Sequence, residues 1–111
     1  MTINELLNVL YTIPFNKLTN DIIYCRINNF VDVISTIGRV DIDFMRGNTC
    51  IGFIRVYGDN TINPALPEIL QTNPRHKEYL EAIEKVITYL EIIGFKLVWL
   101  LYLKNYILVN W

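Results

Sequence analysis

The 111-residue chain predicts an α+β fold: a two-layer sandwich of tandem helix-hairpin units over a four-stranded antiparallel sheet. Three observations lead there. Apolar residues recur at helical period ahead of Gly38 and Gly94 and at strand period after them. Residues 20–58 and 73–111 each run asparagine, amphipathic helix, Ile-Gly stop and hairpin, a pseudo-repeat in pattern although not in residue identity. A chain of this length has room for one core, so residues 1–111 are read as a single domain.

Thr2 and Glu5 have the spacing of a capping box, in which each side chain satisfies a helix-start amide of the other, and Leu6, Leu7 and Leu10 follow. This predicts a short first helix that ends before Pro14 and packs at the edge of the helical layer. From Asn20, residues Ile23, Ile27, Phe30, Val31, Ile34 and Ile37 fall at three- and four-residue steps, with Asn28, Asp32 and Ser35 opposite. A second helix up to Gly38 is expected. The competing pattern, a hairpin of Ile22–Ile27 and Phe30–Ser35 around Asn28-Asn29, would mix Arg26 and Asp32 with apolar residues on the paired faces.

Val40, Ile42 and Phe44 alternate with Asp41 and Asp43, the signature of a strand with one wet face. The turn Arg46-Gly47-Asn48-Thr49 then predicts a hairpin with Phe44 opposite Ile51 and Ile42 opposite Phe53. Gly58-Asp59-Asn60 is turn chemistry, and Pro64 and Pro67 make residues 59–73 a crossing loop. Asn73 as N-cap and Pro74 at the first helical position open a third helix, whose stripe Tyr79, Leu80, Ile83, Val86, Ile87, Leu90 and Ile93 ends at Gly94. Phe95–Leu103 and Tyr106–Trp111 read as a last hairpin around Lys104-Asn105.

That hairpin carries the functional expectation. Leu97, Trp99, Leu101, Leu103 and Leu108 cannot share a face with Val98, Leu100, Tyr102, Ile107 and Val109, so both faces are apolar. Helices can cover only one of them. The face with Val98, Leu100, Tyr102, Ile107, Val109 and Trp111 is the candidate interface, because soluble monomers seldom leave bare patches beyond roughly 300–600 Å². The apolar fraction of 52% points the same way. The expected partner is a second copy of the chain, another protein, or both.

A net charge of −1 without a Lys/Arg run argues against a dedicated nucleic-acid binder. Arg39, Arg46 and Arg55 at hairpin edges are the residues such binding would use. Lys96, Lys104 and Asn105 interrupt the most apolar stretch, which therefore does not span a bilayer. Met1-Thr2-Ile3-Asn4-Glu5 lacks the basic start of a secretory signal, so a cytoplasmic location is expected and Cys25 and Cys50 are read as free buried thiols. Abundant isoleucine, asparagine and tyrosine suit an AT-rich coding genome such as that of a virus, a plasmid or a low-GC host.

No catalytic constellation, metal site or cofactor is expected. Cys25, Cys50 and the single histidine lack zinc-site spacing, the glycines lack a phosphate-loop pattern, and Asp41, Asp43 and Asp59 read as solvated. The best ligand-binding alternative is an anionic compound or nucleotide held at a dimer cleft by Arg55, Tyr57, Arg75 and His76, the last two near a helix start. The helix-hairpin-helix-hairpin order resembles that of LAGLIDADG homing endonucleases, whose hairpins form a DNA-binding saddle. Where that family places a glycine-rich acidic helix end, this chain has Val33-Ile34-Ser35-Thr36-Ile37-Gly38. No metal-binding carboxylate carries over, and membership is not assigned.

The functional expectation is therefore a small non-enzymatic protein–protein interaction module, homodimeric, of a kind that a virus or plasmid could encode to inhibit a host defence system.

Overall fold

The computed structural model describes residues 1–29, 38–65 and 76–98. Their order is α1 (Ile3–Leu10), α2 (Phe15–Leu18), β1 (Tyr24–Asn29), β2 (Arg39–Arg46), β3 (Thr49–Tyr57), β4 (Thr61–Ala65), α3 (His76–Ile92) and β5 (Lys96–Leu97). The fold is mixed α+β, with a five-stranded sheet in the order β1-β2-β3-β4-β5. Four strands form an antiparallel meander, and α3 leads to β5, which lies parallel to β4.

The capping box is present: the Thr2 hydroxyl accepts from the Glu5 amide and the Glu5 carboxylate accepts from the Thr2 amide. Leu6 and Leu10 of α1 are fully buried. They join the core, and α1 packs on β2.

The second expected helix is corrected over its first part. Tyr24–Asn29 is a strand, antiparallel to β2 with Ile27 opposite Ile42 and Arg26 opposite Asp43. Asn20 does bind amides, accepting from Ile22 and Ile23 at 2.9 and 2.8 Å, but it closes a turn rather than opening a helix. Ile23 and Ile27 are four apart, a separation that suits one helix face, while Cys25 and Ile27 also share one strand face. Pairing with β2 decides between the two. Arg26 then faces Asp43 instead of apolar neighbours, which removes the objection to a strand. Residues 30–37 of the expected helix lie outside the described residues. The resemblance to the homing-endonuclease topology goes with this helix.

The predicted β2–β3 register holds for the two pairs beside the turn, Arg46–Thr49 and Met45–Cys50. A bulge between Phe44 and Met45 then shifts it by one residue, so that Phe44 faces Gly52 and Ile42 faces Ile54. Tyr79 of α3 explains the need for glycine at position 52. A methyl group there would overlap the Tyr79 hydroxyl and ring, and that ring stands edge-on to Phe44 at 5.5 Å between centroids.

The expected crossing loop begins instead with a strand, and Pro64 sits inside it opposite Ile54. Lys96 and Val98 donate to the carbonyls of Asn60 and Ile62, so alternate residues of β4 turn their polar groups towards β5. Residue 64 follows that alternation and points away from β3, where its missing N–H costs nothing.

Helix α3 runs as the stripe predicts, with Tyr79, Leu80, Ile83, Val86, Ile87 and Leu90 buried against the sheet. Ile93 is the exception at 40% exposed. Gly94 adopts φ +110°, its amide donates to Glu91 and the Phe95 amide donates to Leu90, which is a Schellman ending with Phe95 and Leu90 both in the core. The expected cap at Asn73-Pro74 lies outside the described residues. Phe95 and Leu97 begin the last strand as read, but β5 pairs with β4, and the rest of the expected hairpin is also outside the described residues. Among the described residues the sheet has five strands instead of the expected four.

Candidate functional site

The helices cover one face of the sheet, where Ile27, Val40, Ile42, Phe44, Ile54, Val56, Ile62 and Leu97 pack with α1 and α3. Alternation sends the intervening residues to the other face, and the strand registers arrange them in rows. One row is Arg39, Tyr57, Thr61 and Lys96. The next is Asn28, Asp41, Arg55 and Asn63, and the third is Arg26, Asp43 and Phe53.

Asp41 and Asp43, expected to be solvated, are only 3% and 5% exposed. Arginine side chains from three strands surround them. Arg26 donates to Asp43 Oδ2 at 3.1 Å and Asn28 donates to the same oxygen at 3.2 Å. Arg39 and Arg55 place their Nε atoms 3.6 and 3.9 Å from the two oxygens of Asp41, close enough for attraction but beyond a hydrogen bond. Burial therefore pushes the Asp41 carboxyl above its ordinary value, with Arg39 and then Arg55 pulling back and Asp43 adding to the rise. Arg55 also lies over the Phe53 ring, 5.0 Å from its centroid. With two guanidinium groups beside it, Asp41 is a poor seat for another cation. Among the described residues no cluster of three or more His, Cys, Asp and Glu converges.

Arg55 and Tyr57 do share this open face, as the ligand-binding alternative requires, although Arg55 is drawn towards Asp41. Arg75 lies outside the described residues, and His76 starts α3 without a described side chain. Asp59 closes the β3–β4 turn, accepting from the Thr61 hydroxyl at 2.6 Å and its amide at 3.1 Å, which holds its carboxyl below the usual value. Both cysteines are free. Cys25 is on the core face, where burial pushes its thiol up to about 12, whereas Cys50 is exposed, contrary to expectation.

Of the expected interface residues, Val98 is described and is 51% exposed. Leu100, Tyr102, Ile107, Val109 and Trp111 lie outside the described residues. Ile93 adds exposed apolar surface just before β5. A separate groove of about 600 Å³ runs between α2 and α3, lined by Leu18, Tyr89 and Ile92 together with Glu81, Glu84, Lys85 and Thr88. The sequence gives little warning of it. Leu18 belongs to a four-residue helix with no readable period, and Ile92 lies just off the buried stripe of α3.

Compared with protein-family models, with curated proteins and with solved structures, the chain matches none. Among the described residues no helix is long and apolar enough to cross a membrane.

Proposed function

We propose that the chain is a non-enzymatic protein–protein interaction module that works as a homodimer through the strand beginning at β5. The observation that carries this reading is exposed apolar side chains on either side of β5, Ile93 at 40% and Val98 at 51%. The sequence continues beyond it with Leu100, Tyr102, Ile107, Val109 and Trp111, of which tyrosine and tryptophan are types enriched in interface cores. A last hairpin of Phe95–Leu103 and Tyr106–Trp111 would extend the same surface. A cytoplasmic inhibitor of a host system, encoded by a virus or plasmid, is a role that small size and this composition suit.

Light scattering on the whole chain and on Val98→Asp tests the proposal. The expected result is a dimer for the parent and a folded monomer for the variant, because an uncompensated carboxylate in a dry interface is costly. Equal masses for the two proteins would reject Val98 as an interface residue.

The open face favours a second reading, an anionic ligand held by Arg55 and Tyr57 beside Arg39 and Lys96, with Arg75 and His76 contributing. Calorimetric titration with inorganic phosphate and a nucleoside triphosphate tests it. Binding lost in Arg55→Ala and Arg75→Ala would support this reading over the first, and no heat of binding would end it.

A further inference from the structure

The groove between α2 and α3 is lined by both apolar and charged side chains. Leu18, Tyr89 and Ile92 supply the apolar surface, and Ile92 is 78% exposed, the most exposed of the large aliphatic residues described. Glu81 and Glu84 outnumber Lys85 among the lining residues. From Glu81 to Ile92 the groove follows α3 for eleven residue steps, about 16 Å at a rise of roughly 1.5 Å per step. Anchors at i, i+4 and i+7 of a docked helix span about 10 Å, so three of them fit within that length.

We propose that this groove receives an amphipathic helix of a partner protein, its apolar anchors over Leu18, Tyr89 and Ile92 and its Lys or Arg residues beside Glu81 and Glu84. The argument for a basic partner is charge complementarity. An acidic helix would meet like charge along the lining, and a helix apolar all round would leave Glu81 and Glu84 facing surface that cannot solvate them. The inference rests on the reading of the chain as an interaction module but not on the dimer surface, because Ile92 lines the groove and Val98 follows β5.

The test uses two labelled peptides with leucines at helical spacing, one filled in with lysines and the other with glutamates, measured by fluorescence anisotropy against the full chain. The lysine peptide binds, and its affinity falls as salt rises. Ile92→Asp weakens it by about tenfold or more, an ordinary loss for an anchor position. The double variant Glu81→Lys, Glu84→Lys loses the lysine peptide and gains the glutamate peptide. These positions are exposed, and circular dichroism checks that the variants remain folded.

Equal binding of the two peptides, or binding untouched by these substitutions, overturns the proposal. So does a dimer that Ile92→Asp dissociates in light scattering, since the groove would then hold a second copy. The Val98→Asp result is independent of each of these outcomes.

Discussion

Strand β2 presents two different chemistries on its two faces. Val40, Ile42 and Phe44 point to the helices and are fully buried among apolar neighbours, whereas Asp41 and Asp43 point the other way and are nearly as buried among arginines. The first face is stabilised by area removed from water and by close packing. The second gains only what remains after two carboxylates have lost most of their hydration. Equal burial therefore does not mean equal contribution, and substitutions on the two faces should separate cleanly.

Ile42→Ala should show the largest effect. It removes buried methyl groups from the sheet centre and should cost about 2–5 kcal/mol in chemical denaturation. Gly52→Ala comes next, at about 1–3 kcal/mol, because the new methyl must displace Tyr79. A Gly52→Ala protein as stable as the parent would contradict the seating of Tyr79 over the bulge.

On the other face, Asp43→Ala strands Arg26 and Asn28 and should cost about 1–2 kcal/mol. Arg26→Ala should cost less than about 1 kcal/mol, since its side chain is more than half exposed and the pair is screened by solvent. If Arg26→Ala proved as damaging as Ile42→Ala, the distinction between the faces would fail.

The smallest effect is expected at Asp41, and it depends on pH. A carboxyl whose folded value is raised binds its proton more tightly in the native state, so its contribution favours folding at low pH and is lost as pH climbs from the ordinary 3.8 through the folded value. Asp41→Asn removes that slope. The variant should therefore gain on the parent as pH rises through this window, and denaturation curves at several pH values would read the difference. A variant that lost ground to the parent as pH rose would contradict the assigned shift.

The same two faces explain what was legible in the sequence. Alternation in β2, the Gly47-Asn48 turn, the Thr2–Glu5 capping box and the Gly94 ending depend on residues close in the chain, and each is found in the fold. The acid-arginine rows depend on register across three strands. A bulge that leaves Ile51 of β3 outside the pairing changes that register, and Gly52 beside it is a local mark of the bulge, but how the rows line up is set only by the paired strands. Residues 24–29 were ambiguous for the same reason: their strand exists because β2 is there to pair with, and nothing local excludes the helix. The groove required knowing that α2 and α3 are neighbours, and Pro64 reads as a loop until its position on the β5 side of β4 is known.

The claim on which the functional account turns is that apolar surface near Val98 is covered by a second chain. Sedimentation velocity over a concentration series measures this directly. The account predicts a species of twice the 13.0 kDa chain mass that dissociates on dilution. A single species of 13.0 kDa at every concentration would contradict it.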